Sequence, residues 1–309
     1  MAQNGTAVQQ SRSRSGLLVA KEMLDDKLSD DGKAIMSEFE RLRRMPLTGS
    51  MSDARSGGNA RLNRYFNVLP FDANRVRLEN GTSDYINASL LTSPPEEQPS
   101  WEYIATQGPK DSTMEDFWQM VYKQRCAVII MLTRATESGS VKKCAQYFPE
   151  ELSQRGAYGG WRVECTSLQE VDSDVSRRDL VVTPPKGSGQ PCQVVHFHYH
   201  AWPDHGVPST TQPLRDLVSA VKQLEVQEAG PAVVHCSAGI GRTGTFCAVD
   251  IALQRLRSPD YSAAVSAAEL KPVVAELRRQ RCGMVQTPEQ YHFCYQAIKD
   301  EVDLELLGQ

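Results

Sequence analysis

Apolar positions along the chain fall into distinct rhythms. Leu17, Leu18, Met23, Leu24, Leu28, Ile35, Met36, Phe39 and Leu42 recur at helical spacing, with a break at Ser29-Asp30-Asp31-Gly32, and predict two short helices joined by a turn. Ahead of them, residues 1–16 are polar and rich in Ser, Gln and Arg, which predicts a flexible tail. Residues 48–59 are Gly/Ser-rich and predict a linker or loop. The apolar run from Cys126 to Thr133 reads as a buried strand, and Thr166–Val182 and Pro184–Cys192 read as strands around a hairpin tip at Pro185–Gly189. Val265, Leu270, Val273, Val274 and Leu277 form the inward face of a helix over Tyr261–Arg279, and a last helix spans Glu289–Leu307.

Composition narrows the class. The 309 residues are 40% hydrophobic, enough for one large core, and no internal repeat divides them. The longest apolar run, Ala127–Leu132, is far too short to span a bilayer. The first residues lack an apolar signal region and the last carry no anchor motif, so a soluble monomer of the cytoplasm or nucleus is expected. A net charge of −4 argues against nucleic acid as a partner. The eight cysteines, Cys126, Cys144, Cys165, Cys192, Cys236, Cys247, Cys282 and Cys294, show neither paired C-x-x-C nor Cys/His ligand spacing, so reduced thiols, no metal and no cofactor are expected. His196, His198 and His200 alternate and would share one strand face, but no further ligand cluster accompanies them.

The densest chemistry lies in Pro231–Asp250, PAVVHCSAGIGRTGTFCAVD. Ala232–Val234 suit a buried strand, Ser237–Gly241 a tight loop of small residues, and Phe246, Val249, Ala252, Leu253 and Leu256 a helix. Amides of Ser237, Ala238, Gly239, Ile240 and Gly241 and the helix N-terminus can then converge on one anion. Gly239, Gly241 and Gly244 also spell a dinucleotide-binding G-x-G-x-x-G. That alternative leaves Cys236 at the start of the loop and Arg242 at its end without a purpose. A free cysteine titrates near 8.5, whereas helix N-termini and cations lower such a thiol to about 3.5–7.5. A loop wrapped on an anion brings both side chains to one centre: a thiolate nucleophile and a planar fork for two phosphate oxygens.

The run His235-Cys236-Ser237-Ala238-Gly239-Ile240-Gly241-Arg242-Thr243-Gly244 resembles the signature loop of the cysteine-dependent protein tyrosine phosphatases, tyrosine-specific and non-receptor in type. The resemblance covers about residues 35–300 within a catalytic domain of 17–309. It implies an α/β fold, a single domain with a central twisted mixed β-sheet flanked by helices. Asn63–Val68 resembles the loop that recognises the phosphotyrosine ring, with Tyr65, Asn67 and Val68 as contacts. Asn67 stands where many relatives carry Asp, and an amide there brings no charge. Asp84–Ser89, Tyr103–Pro109 and Asp116–Val121 match scaffold motifs. Glu137–Cys144 resembles the segment whose Glu137 and a lysine, Lys143 or its neighbour Lys142, support the arginine. Phe148 stands where the family usually has Trp.

Trp202–Pro208 resembles the mobile acid loop, which makes Asp204 the general acid for a phenol leaving group, protonated when substrate is bound. Gln286–Tyr291 resembles the glutamine loop, with Gln286 placing water and Gln290 assisting; Thr243 would help sulfur depart. The implied reaction is metal-independent hydrolysis of phosphotyrosine proteins through a phosphocysteine. The thiolate would also oxidise readily to a sulfenic acid that can close onto the Ser237 nitrogen. Three arginines, Arg278, Arg279 and Arg281, end a helix, where they would bond carbonyls, complement the dipole or line a substrate cleft. Two rivals stand beside this reading, a dual-specificity phosphatase and a catalytically silent phosphotyrosine-binding module.

Overall fold

A computed structural model describes residues 2–79, 83–137, 139–224 and 229–308, with side chains from residue 14 onward. The helices in chain order are α1 (Ala2–Leu28), α2 (Lys33–Arg43), the single turns α3 (Ser52–Arg55) and α4 (Gly57–Ala60), α5 (Met114–Lys123), α6 (Gln212–Lys222), α7 (Gly241–Leu256), α8 (Tyr261–Ser266), α9 (Leu270–Gln280) and α10 (Pro288–Leu307). The strands are β1 (Arg75–Arg77), β2 (Tyr85–Thr92), β3 (Glu102–Thr106), β4 (Val128–Met131), β5 (Thr136–Glu137), β6 (Val141–Lys142), β7 (Arg155–Tyr158), β8 (Trp161–Glu170), β9 (Val175–Thr183), β10 (Cys192–Tyr199) and β11 (Ala232–His235).

Nine strands form one mixed sheet in the order β1-β2-β3-β11-β4-β10-β9-β8-β7, while β5 and β6 pair as a separate small hairpin. The centre of the sheet, β3-β11-β4-β10, is parallel. Antiparallel strands extend it on both sides. Because side chains alternate along a strand, Val128 and Ile130 of β4 join the apolar cluster under α1, α2, α7, α9 and α10, while Ile129 and Met131 join the cluster under α5. The core is thus two layers, one on each face of the sheet, and the expected α/β domain is observed.

Several local expectations change. The segment 2–16, expected as a flexible tail, continues α1 without a break, with Met1 outside the described residues. Once Leu17, Ala20 and Leu24 are buried, nucleation is already paid, and each added residue costs little. The break at Ser29–Gly32 survives as a single 3₁₀ turn. Residues 48–59 are ordered rather than a free linker: Asp72 accepts hydrogen bonds from the Ser52 and Asp53 amides and from the Ser50 and Ser52 hydroxyls. These hold its carboxyl at about 2 against the opposing pull of burial. Thr166–Val182 is two strands, β8 and β9, because Asp172 accepts from the Asp174 and Val175 amides and closes a turn. Pro184–Cys192 is the connecting loop, and the next strand begins only at Cys192. The helix expected over Tyr261–Arg279 is split into α8 and α9.

Two of the alternating histidines, His196 and His198, and the His235 that precedes the loop cysteine are committed to hydrogen bonds. His235 Nδ1 donates to its neighbour's carbonyl, Cys236 O, at 3.1 Å, and Tyr147 Oη lies 2.7 Å from His235 Nε2 and 2.8 Å from His196 Nε2. His198 Nε2 donates to Thr133 O at 2.9 Å. Phe148 lies on His196 with ring centroids 4.2 Å apart, which gives the ring at this position a packing partner. Burial lowers the imidazoles of His235, His198 and His196: His235 to about 4, His198 to about 3, and His196 well below its usual value.

Folding therefore keeps these groups neutral while the unfolded chain protonates them near pH 6.5. Stability is then expected to be intact above pH 6.5 and to fall as pH drops towards 4, by up to about 1.4 kcal/mol per pH unit for each histidine. Urea midpoints at pH 7, 6 and 5 measure this slope. A midpoint unchanged from 7 to 5 would contradict it.

Candidate active site

The parallel strands β3, β11 and β4 end side by side, and their C-terminal edges build the site. The amide of Leu132, just past β4, donates to His235 O at 2.9 Å, and Gly108 N, just past β3, donates to Ser237 O at 2.9 Å. The loop from Cys236 to Ile240 is thereby clamped from both neighbours before it enters α7. Gly239 turns it at φ +72, and a Cβ there would stand 2.1 Å from Thr106 O, so no other residue fits.

Beneath the loop lies Arg281, fully buried. Its Nε donates to Gly239 O at 2.8 Å and its Nη2 to Ala238 O at 3.1 Å, and it donates further to Asn87 Oδ1 at 2.8 Å and Ser89 Oγ at 3.1 Å. Burial lowers this guanidinium to about 10, so it stays charged at neutral pH. Drawing two successive carbonyls outward leaves the loop's amides free to face inward. Of the three roles open to the terminal arginines, Arg281 and Arg278 both take carbonyl bonding; Arg278 reaches Met284 O and Val285 O.

Cys236 sits inside this cradle, only 6% exposed. Its sulfur accepts the Gly239 N–H and the Thr243 hydroxyl, both at 3.3 Å. Burial by itself would raise the thiol, but the Thr243 hydroxyl, the Arg242 charge and the amides of Thr243 and Gly239 outweigh it and lower the value below that of an ordinary cysteine. Elsewhere burial wins: Cys126 and Cys144 are each pushed up to about 12. His235 is neutral, so it supports the loop through its bond to the Cys236 carbonyl and not as a cation.

Arg242 is held flat by Glu137. Nη1 donates to Glu137 Oε1 at 2.6 Å and Nη2 to Oε2 at 3.1 Å, while Leu132 O and Pro203 O each accept at 3.0 Å. Glu137 is presented by the β5–β6 hairpin and accepts also from Thr133 Oγ1 at 2.9 Å; Ser138 of the same segment lies outside the described residues. Of the two candidate lysines, Lys142 pairs with Asp111 at 2.6 Å, whereas Lys143 Nζ stands 3.1 Å from Asp204 Oδ1 and 3.9 Å from Glu137. Lys143 is therefore the one in the site.

Asp204 follows Trp202, which is buried against Tyr199 and Phe293 with ring centroids 5.6 and 5.9 Å away. A hydrogen bond with Glu137, another with Lys143 and the Lys143 charge hold the Asp204 carboxyl below its usual range. Without substrate it is thus ionised, the opposite of the state expected in the complex.

The remaining walls come from two loops. Tyr65 Oη donates to Ser237 Oγ at 2.9 Å, and Ser237 Oγ donates to Lys143 O at 2.9 Å. Arg64 latches the loop by bonding Gly108 O, Pro109 O and Lys142 O, and its amide donates to Gln107 Oε1 at 2.7 Å. Opposite, Gln290 Oε1 accepts from the Gln286 amide at 2.9 Å, and Thr287 Oγ1 accepts from the Gln290 amide at 3.2 Å, a capping box at the start of α10. A Cβ on Gly241 would meet Gln286 Oε1 and Gln290 Nε2, each at 3.0 Å, so both amide side chains reach the mouth of the loop.

Together Tyr65, Asn67, Val68, Glu137, Lys143, Asp204, Cys236, Ser237, Ala238, Gly241, Arg242, Gln286 and Gln290 line one cleft of about 690 Å³. Thr243, Gly239, Ile240, His235 and Trp202 stand behind it. The sequence reading passed over Arg64, Gln107 and Asn87, and gave no part to Arg281 in shaping the loop. Among the described residues no group of three or more His, Cys, Asp or Glu is arranged to hold a metal.

A cleft with a lowered thiol, an inward-facing amide loop and a braced guanidinium defines a site for a tetrahedral oxyanion. The family profile for protein-tyrosine phosphatase matches residues 59–300. The chain is 43% identical over 249 residues to the protein-tyrosine-phosphatase PTP1 of Arabidopsis thaliana, covering 79% of this chain and 71% of that protein. It is 38% identical to the human receptor-type tyrosine-protein phosphatase C over 88% of this chain and 20% of that protein. With the mouse tyrosine-protein phosphatase non-receptor type 9 it shares 35% identity over 93% of this chain and 49% of that protein. This chain belongs to the protein-tyrosine phosphatase family. It spans about half the length of the non-receptor relative and a fifth of the receptor.

Two outcomes follow from the geometry. Thr243→Ala is expected to move the pH midpoint of Cys236 alkylation upward, towards the free-thiol value of about 8.5, and an unmoved midpoint would remove the hydroxyl from the account. Arg281→Met leaves two loop carbonyls unpaired and is expected to cost about 3 kcal/mol or more in urea unfolding.

Proposed function

We propose that this chain hydrolyses phosphotyrosine in proteins in two steps, without a metal or other cofactor. Cys236 Sγ attacks phosphorus; the S–P bond forms as the bond from phosphorus to the phenol oxygen breaks, and Asp204 gives that oxygen its proton. Loop amides from Ser237 to Arg242 and the Arg242 fork hold the three equatorial oxygens. In the second step a water oriented by Gln286, with Gln290 beside it, attacks phosphorus while Asp204 takes its proton. The S–P bond breaks, the Thr243 hydroxyl meets the departing thiolate, and inorganic phosphate leaves.

The observation that carries this reading is the sulfur of Cys236 held between the Gly239 amide and the Thr243 hydroxyl, with the Arg242 guanidinium braced on Glu137 in the same cleft. The ring of Tyr65 on the cleft wall, tied to Ser237, supports a flat aromatic substrate over phosphoserine and disfavours a dual-specificity enzyme. Intact Cys236, Arg242, Asp204 and Gln286 disfavour a silent binding module. No helix among the described residues is long and apolar enough to cross a membrane, and we place the protein in the cytoplasm as a monomer acting in signalling by dephosphorylation. The lowered thiol also makes Cys236 the cysteine that peroxide would oxidise first.

Phosphate release from phosphotyrosine and phosphothreonine peptides tests the assignment. Hydrolysis is expected for phosphotyrosine peptides, to be abolished in Cys236→Ser, and to lose about 10²–10⁴ in kcat in Asp204→Ala. Equal turnover of phosphothreonine, or turnover surviving Cys236→Ser, would overturn it.

A further inference from the structure

Phe66 is 90% exposed, the most exposed phenylalanine among the described residues. Single apolar residues on a surface need no explanation by themselves; its position is what matters. Both neighbours, Tyr65 and Asn67, line the cleft, as does Val68. The loop backbone is fixed from below by Arg64, whose donors go to Gly108 O, Pro109 O and Lys142 O. Tyr65 is turned inward to Ser237. Phe66 therefore stands on a rigid rim, beside the wall against which a phosphotyrosine ring would lie. Successive residues of an extended peptide are only about 3.3–3.8 Å apart, so residues flanking that phosphotyrosine must cross this rim.

The charges around the rim decide what those residues are. Arg64 is spent on backbone carbonyls, Lys110 on Arg61 O and Asn63 O, and Lys142 on Asp111. Asn67 contributes no charge. Across the cleft Glu137 is paired with Arg242 and Asp204 with Lys143, and the carboxylate of Glu289 also lines the wall. An acidic flanking residue meets Glu289 there and finds no cation within Asn63–Val68 that is not already bonded to backbone carbonyls, whereas an apolar one can cover the exposed ring and remove both surfaces from water.

We propose that Phe66 selects substrates carrying a large apolar side chain next to the phosphotyrosine, and disfavours acidic ones. This rests on the phosphatase reading above. The test compares kcat/KM for phosphotyrosine peptides that are identical except for Leu, Ala or Asp in the two positions on either side of the phosphotyrosine, on the native chain and on Phe66→Ser. Leu peptides are expected to exceed Asp peptides by about tenfold on the native chain, the equivalent of one well-buried apolar contact. In Phe66→Ser, which changes an exposed side chain and should keep the native melting temperature, that ratio is expected to collapse towards that of Ala to Asp. Equal or better turnover of Asp peptides by the native chain, or a Leu preference that persists in Phe66→Ser, would overturn the proposal. Absence of hydrolysis of every phosphotyrosine peptide would instead overturn the phosphatase reading itself.

Discussion

A buried guanidinium under a loop of small residues is the constraint on which the site depends. Arg281 carries a charge into the core, and among the described residues it bonds not to a carboxylate but to the carbonyls of Ala238 and Gly239, the Asn87 amide oxygen and the Ser89 hydroxyl. Such burial is expensive unless every donor is satisfied. Here the satisfaction is what shapes the loop: carbonyl dipoles turned towards the cation oblige the intervening amides to turn the other way. The positive ends of those dipoles then meet at Cys236, where they help lower the thiol against the opposing cost of its burial. One cation thus favours a second charge of opposite sign on the far side of the loop without touching it.

The second arginine works at closer range and is bound into a shared network. Glu137 holds Arg242 by both oxygens and also lies within reach of Lys143 and Asp204. Arg242 in turn donates to Pro203 O, next to the acid itself. The seating of the acid loop and the orientation of the phosphate-binding fork are therefore not independent, because the same guanidinium and the same carboxylate serve both. Losing Glu137 would disturb the acid's surroundings as well as the fork, and the two effects could be separated only by a cycle of single and double variants.

What could be read from the chain follows sequence distance. Strand, nucleophile, loop, arginine and helix are contiguous from Ala232 to Leu256, so their spacing carries the chemistry directly. Thr243 and the glycines come with it. Arg281 was invisible in this role because its partners are backbone carbonyls 42 and 43 residues away and side chains more than 190 residues away; a backbone acceptor leaves no side-chain pattern. Arg64 is hidden for the same reason. The choice between Lys142 and Lys143 depended on the twist of a two-residue hairpin, beyond the reach of spacing. The fold class was legible from alternating segments and motif order, while the turn at Asp172 and the N-terminal extension of α1 were not. Each is decided by a local carboxylate or by docking elsewhere, and neither alters the hydrophobic rhythm.

Asp204 shows why a free site should not be read as the working one. Its carboxyl is held as an anion beside the Lys143 ammonium, and for a general acid that is the wrong state. Two negative charges on a bound phosphate ester change the balance. In the proposed reaction they would compete with Asp204 for Lys143, engage Arg242 and stand near the carboxylate, where like charges repel. Each of these effects raises the carboxyl. On the proposed mechanism substrate binding and proton uptake are then linked: the ester that needs a proton for its leaving group would also be what places one on Asp204. Once the phenol departed with that proton, Asp204 would again be an anion beside Lys143, as it is in the free protein, and in that state it could accept the proton of the attacking water.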